Sequence, residues 1–325
     1  MDLPPATPTA DLDWSNVGIG LCFVALNLLL SQTLQLHISA PLGIAALRCT
    51  VQLTFVATVL QHVFASKKWW VVTLIALLLN ILGTFETVVI KASRRCRNMF
   101  AHVLIAMLVA NIPVSILGVR FAMGVTTFWT PEQYIPVVGM LCGNAIACIA
   151  VSQRHILKEL DENRDKTETL LAFGASRFEA CRPLAVEGLR MALMPTINQM
   201  SVIGIISIPG MMTGAILGGA NVQQAARLQM IIMFMITASS ALSCIISTYL
   251  ALSVCVDSEH RVRGDCIDTR PLTFRRVCSG IIWAAVGFAR RTWNLLRGLT
   301  KREEVMANGG IHNGHIRSER TPLLV

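Results

Sequence analysis

The chain has 325 residues, of which 54% are hydrophobic and 14% charged, against roughly 25% charge in soluble domains. That composition excludes an ordinary soluble globular protein. The formal net charge of +9 first records which loops face the cytosol, because cytosolic loops of membrane proteins retain Lys and Arg; it argues against a nucleic-acid partner.

Residues 1–13 carry Asp2, Asp11 and Asp13 and no Lys or Arg. The positive region of a secretory signal peptide is therefore missing, and the first apolar run is expected to be retained as an anchor behind a short non-cytosolic tail. A window of about 19 residues places spans at 14–36, 41–64, 69–90, 99–121, 133–151, 195–219 and 225–256. A helix of about 20 residues rises about 30 Å, enough to cross a bilayer core. The expected fold is all-α: a polytopic transmembrane bundle of about seven spans over residues 14–256. Residues 91–98 carry four Lys and Arg, residues 152–194 carry seven and the tail from Asp257 carries twelve, so 23 of the chain's 28 fall in alternate segments. The N-terminus is then outside and the C-terminus cytosolic. Lys67 and Lys68 fall on the opposite side, beside Trp69 and Trp70, which read as an interfacial belt.

Residues 257–325 form a basic cytosolic tail. Within it, 273–299 interleaves Phe274, Ile281, Trp283 and Trp293 with Arg275, Arg276, Arg290 and Arg291, a pattern suited to lying on an anionic membrane surface. From Glu303 onward the sequence is polar and is expected to be disordered. Of ten cysteines, Cys22, Cys142, Cys148 and Cys244 lie in apolar runs and read as small hydrophobes; zinc-type CxxC pairs are absent.

A few residues are not explained by a bilayer. Arg48 and Gln52 stand four apart on the second span and share one helical face, which is costly in lipid and should point into the bundle. Glu86 is the one carboxylate in the apolar runs and the candidate partner of Arg48. Two readings are open: an ion pair that fixes helix packing, or a site on a transport pathway. The sixth span contains Pro209, Gly210, Met211, Met212, Thr213 and Gly214, with Gly218 continuing a four-residue repeat. This face serves close helix packing, or else the helix breaks where a substrate passes, since irregular backbone at membrane depth is tolerated when it lines a cavity. The methionines read as apolar filler or as soft metal ligands.

Residues 152–194 carry seven basic and seven acidic residues and form the expected solvated cytosolic loop. Glu168 and Ala172 are one helical turn apart, Gly174 permits a sharp turn, and a second helix can lead into the membrane at Pro195. The result is a short helix projecting from the bilayer, suited to another protein's groove, or else an ordinary hairpin.

The chain resembles the FetB-type permease family, which includes a bacterial iron-export permease and plant proteins of aluminium tolerance. The resemblance is carried by Arg48 with Val51-Gln52-Leu53, by Glu86, by Gly139-Met140 and Gly143-Asn144, by Leu171-Ala172-Phe173-Gly174-Ala175-Ser176 with Glu179, and by Pro209 to Gly214 with Gly218-Gly219 and Gln229. Membership implies a permease moving a metal ion or small solute, with Arg48, Gln52, Glu86, Asn144 and Pro209 to Gly214 on its path. The spacing of Glu168, Ala172 and Gly174, with Ala175, Ser176 and Glu179, resembles the coupling loop of ABC importer-type permeases, which docks on a separate ATPase. Ala215 stands where the family usually has Gln, and the basic tail extends beyond the family core.

No G-x-x-x-x-G-K-[ST] phosphate loop is present, nor any Gly-Lys pair, so an ATPase, if used, is another polypeptide. The rival reading is a secondary transporter or channel in which Glu86 binds a proton or cation; a third is a non-transporting scaffold. The seven histidines are scattered and no catalytic spacing occurs, so neither an enzyme nor a cofactor is expected. Expected partners are the lipid bilayer, the ATPase and another copy or related subunit. The end of the chain, Glu319-Arg-Thr-Pro-Leu323-Leu324, resembles a eukaryotic acidic dileucine signal, which implies a sorting adaptor and an endomembrane address, vacuolar or endolysosomal.

Overall fold

The computed structural model describes residues 13–256, apart from 67, 93, 126 and 128, together with residues 267 and 268. The helices are α1 (Trp14–Thr33), α2 (Ser39–Ser66), α3 (Trp69–Phe85), α4 (Met99–Leu117), α5 (Pro131–Glu162), α6 (Arg164–Ala172), α7 (Arg177–Val202), α8 (Gly210–Leu217) and α9 (Val222–Cys255). Their starts follow local chemistry. The Asp13 side chain accepts the Trp14 N–H at 2.8 Å, Asn221 accepts the Gln223 N–H at 2.9 Å, and Pro131 opens α5, where its missing N–H costs nothing. Two π-helical turns, Glu86–Lys91 and Gly118–Ala122, prolong α3 and α4. A two-residue strand, β1 (Arg95–Cys96), pairs antiparallel with β2 (Ile267–Asp268).

α5 is the axis of the bundle, packed against α3, α4, α7 and α9. Val103, Met107, Leu141, Ile149, Ile156 and Ile232 are fully buried around it. Polar residues tie the helices from within. Asn111 donates to Asn80 at 2.9 Å and accepts from Ser239, and Ser152 meets Thr248 and Gln153 meets Ser247, each at 2.9 Å. Between membrane helices such bonds replace the hydrophobic driving force that lipid removes. α1 and most of α2 lie outside this core and expose nearly all of their apolar side chains; α2 reaches it near its end, where Val63 is buried and Leu60 and Phe64 pack beside it.

The same contacts give helix directions. Cys148, Ser152 and Gln153 meet Cys244, Thr248 and Ser247, so α5 and α9 run parallel. Cys148 bonds the Ala192 carbonyl at 3.3 Å while His155 lies 3.8 Å from Glu187, so α7 runs antiparallel to α5. At one end, Arg94 reaches Glu162 at 2.9 Å and Asp161 at 3.4 Å, and Arg154 bonds the Lys91 carbonyl at 3.2 Å. The first basic loop and the ends of α5 and α9 thus gather at a single end of the bundle.

Among the described residues, six helices are long and apolar enough to cross a membrane: Trp14–Thr33, Ser39–Gln61, Trp69–Lys91, Met99–Ala122, Pro131–Glu162 and Val222–Cys255. The expected span at 195–219 differs, because it is not one helix. α7 stops at Val202, residues 203–207 form a turn with Gly204 at φ 91°, and Pro209 caps the separate α8. The Thr237 hydroxyl donates to the Met200 sulfur at 2.9 Å, so α7 ends level with the middle of α9. About 22 Å of α9 lies beyond that level, at 1.5 Å per residue, and the chain covers it as a turn and a two-turn helix. The N-terminal residues 1–12, the amphipathic segment 273–299, and Glu319, Leu323 and Leu324 lie outside the described residues.

Candidate translocation site

Arg48 sits in the first half of α2, and Glu86 is the first residue of the π turn that prolongs α3. Their side chains form a two-pronged ion pair, with Arg48 Nη1 3.2 Å from Glu86 Oε1 and Nη2 bonded to Oε2. The partner expected for Arg48 is therefore the one found. Guanidinium and carboxylate share a planar fork geometry, which makes this the strong form of an ion pair. Neither side chain is sealed: 40% of Arg48 and 22% of Glu86 remain exposed.

The opening is a cavity of about 530 Å³ between α2, α3 and α5. Arg48, Cys49 and Gln52 line it from α2, Gly83 and Glu86 from the α3 side, and Gly139, Cys142 and Gly143 from α5. A Cβ at Gly139 or Gly143 would meet nothing within 4 Å, so at these two positions the wall is bare helix backbone facing open space, beside the side chains of Cys142 and Ile146. Gly83 differs: a Cβ there would come within 2.9 Å of the Met107 side chain and 3.0 Å of Ile146, so α3, α4 and α5 close up behind the cavity. The π turn leaves carbonyls without their usual helical donors, and Arg95 bonds two of them, Val88 O at 2.7 Å and Val89 O at 3.0 Å. π turns are rare and concentrate at functional sites.

The residues expected on one path divide into two places. Arg48, Gln52 and Glu86 face the cavity. Asn144 does not line it; its amide bonds the Met140 carbonyl of its own helix at 2.9 Å. Pro209, Gly210, Met211, Met212, Thr213 and Gly214 are also absent from its lining and form α8, none of whose residues is buried. Among the described residues no group of three or more His, Cys, Asp or Glu is placed to hold a metal. Cys49 and Cys142 were not expected at the cavity. Cys49 follows Arg48 directly, and the Gly139–Gly143 repeat was the signal for the α5 wall.

At the basic end, Glu168 and Ala172 lie on α6, as their spacing implied. Phe173 follows at 85% exposure and Gly174 takes φ 88°, a left-handed value that admits glycine readily. Ser176 and Glu179 form a capping box that starts α7: the Glu179 carboxylate accepts from the Ser176 hydroxyl at 2.6 Å and its N–H at 2.9 Å. These bonds, that of the hydroxyl first and the N–H second, hold the Glu179 carboxyl below its ordinary range. The sequence thus specifies a helix, a one-glycine corner and a second helix, with an aromatic ring at the tip.

Fold and cavity together define a polytopic helical membrane protein with a charged chamber between its helices. The chain belongs to the family described as Uncharacterised protein family (UPF0014), matched over residues 14–256. It is 32% identical over 230 residues to UPF0014 membrane protein STAR2 of Oryza sativa subsp. japonica, covering 70% of this chain and 78% of that protein. It is 29% identical over 236 residues to Protein ALUMINUM SENSITIVE 3 of Arabidopsis thaliana, covering 71% and 82%. It is 25% identical over 248 residues to Probable iron export permease protein FetB of Escherichia coli (strain K12), covering 76% and 93%. No solved structure matches the chain.

Proposed function

We propose that this chain is the membrane-spanning subunit of a metal-ion permease, with its path through the cavity closed by Arg48 and Glu86. The carrying observation is that two-pronged ion pair on the wall of an open chamber between membrane helices. Charges inside a bilayer are costly and mark pathways when they face a cavity. A pair bound on both prongs yet partly exposed suits a latch: an arriving cation competes for Glu86 and frees Arg48. The iron export and aluminium sensitivity named in its relatives support a metal cargo.

Energy comes from a separate ATPase that docks on α6, Phe173 and the corner at Gly174. The exposed ring at the tip of a rigid two-helix corner supports this reading. The basic end, with the C-terminus, faces the cytosol, supported by the gathering of the basic loop with the ends of α5 and α9. The protein works with a second copy or a related subunit. In the turn between α7 and α8, Ile205 is 88% and Ile206 80% exposed, level with the middle of α9. Irregular backbone at that depth requires a protein or water-filled cover, and a neighbouring subunit against α8, with Met211, Met212 and Thr213 on the shared face, supplies one. The terminal Glu319, Leu323 and Leu324 address the protein to a vacuolar or endolysosomal membrane through a sorting adaptor.

The test is efflux of radiolabelled iron from cells producing the parent chain, Glu86→Gln, and the swap Arg48→Glu with Glu86→Arg. The expected result is loss of efflux in Glu86→Gln at normal abundance in the membrane, with partial return in the swap. Full efflux by Glu86→Gln removes the latch from the mechanism.

A further inference from the structure

A second cluster of reactive groups lies away from the cavity, where the loop after α3 meets the end of α9. Cys96, on β1, is 6% exposed, and Cys255, the last residue of α9, is fully buried. β1 packs against α9, which makes the Cys255 thiol a hydrogen-bonding neighbour of Cys96, with His102, one turn into α4, as another. The Nδ1 of His102 is buried and makes no hydrogen bond. The β1–β2 pairing holds Cys96 against the segment that follows α9. Its neighbour Arg95 grips the carbonyls of Val88 and Val89 in the π turn that begins at Glu86.

The electrostatics single Cys96 out. The hydrogen bond from Cys255 is the largest cause, with His102 assisting, and together they override burial to bring the Cys96 thiol down to about 6. Burial alone would push it the other way. A thiolate is the form that attacks oxidants, and a second thiol in contact resolves the product to a disulfide.

We propose that Cys96 and Cys255 form a peroxide-sensitive thiol pair, which closes to a disulfide between β1 and α9 and locks the basic end of the bundle. The Cys96 thiolate attacks hydrogen peroxide. The O–O bond breaks, one oxygen joins sulfur as a sulfenic acid, and the other leaves as hydroxide and takes a proton to become water. The Cys255 sulfur then attacks Cys96, the S–O bond breaks, and the Cys255 proton joins the departing hydroxide as a second water. Two thiols lose two electrons, peroxide gains them, and a thiol reductant such as glutathione reverses the step. The bond ties β1 to α9, and Arg95 passes that constraint to the π turn carrying Glu86.

The test uses the full chain in membrane vesicles, treated with hydrogen peroxide, blocked with N-ethylmaleimide and mapped by mass spectrometry. The expected product is a peptide pair linked through Cys96 and Cys255 that dithiothreitol separates. In Cys255→Ser, dimedone should label Cys96; in Cys96→Ser, Cys255 should stay unlabelled. Transport by the parent chain should be lost with peroxide and return with dithiothreitol, while both serine variants transport normally and ignore peroxide. Two alkylatable thiols after treatment, or unchanged peroxide inhibition in Cys96→Ser, would overturn the proposal.

Discussion

At the scale of single residues, the ion pair and the asparagine network do different jobs, and substitution separates them. Asn111 donates to Asn80 at 2.9 Å and to the Cys142 sulfur at 3.3 Å, and accepts from Ser239. Truncation in Asn111→Ala removes three interhelical links at once and should cost about 1–2 kcal/mol, read as a lower melting temperature in detergent. Glu86→Gln should leave that temperature close to the parent's while stopping transport, because an amide still reaches Arg48 but no longer holds a cation. The pairing of Arg48 with Glu86 was legible in the sequence because charges in apolar runs are few and must find one another. Asn144 was not, because a side chain that bonds its own helix looks, in sequence, the same as one that faces a chamber. Cys96 was illegible for another reason: its thiol is set by Cys255, a neighbour that only the fold provides.

At the scale of elements, the corner between α6 and α7 was read closely, since glycine at φ 88° and a capping box both have local signatures. Two predictions belong here. Gly174→Val strains the left-handed corner by about 1–3 kcal/mol and should reduce co-purification of an ATPase subunit and transport together, with the protein still in the membrane. Unchanged transport would favour a carrier that needs no ATPase. The capping box also carries a pH dependence. The folded Glu179 carboxyl titrates below its ordinary range, so its stabilisation is fully present above the unfolded value of about 4.3 and is lost as pH falls through the folded one. The protection factor of the amides at the start of α7, which divides out the intrinsic pH dependence of exchange, should fall on acidification in the parent chain and be low at both neutral and acidic pH in Ser176→Ala. The break after Val202 was harder to read. Of the two readings of this span, a closely packed glycine face or a helix broken near Pro209, the chain does break, but earlier: the turn at Gly204 has already ended α7, and Pro209 opens a new helix.

At the scale of the whole molecule, the all-α bundle and its long helices followed from hydropathy alone, whereas the uneven packing did not. α5 is surrounded on four sides, yet α1 packs mainly on α2, and α2 meets the bundle through Val63, Leu60 and Phe64 near its end and through the Arg48 pair, a contrast that composition conceals because both kinds of helix are equally apolar. A cysteine placed at Gly214 should form a dimer across two copies on mild oxidation in membranes, and only monomer would argue for a different neighbour on α8. At the chain's end, Leu323→Ala with Leu324→Ala should move a fluorescent fusion from the vacuolar or endolysosomal membrane to the cell surface, and an unchanged pattern would reject the sorting signal.

The two bare positions on the α5 wall, Gly139 and Gly143, constrain how the chamber can diverge. Gly139 and Gly143 present no side chain to the cavity, so beside Cys142 and Ile146 the contour at these two positions is the helix itself, with no rotamers to shift. Glycine is already the smallest residue, and every substitution there adds atoms to the space. At these two positions the chamber stands at its upper limit of width: mutation there can only narrow it by steps, beginning with one methyl group, and a larger cargo needs smaller side chains elsewhere in the lining, such as Ile146 on α5 or Leu53 on α2. Relatives with different cargo are therefore expected to keep glycine at these two positions when the chamber grows, and to lose it when the chamber shrinks.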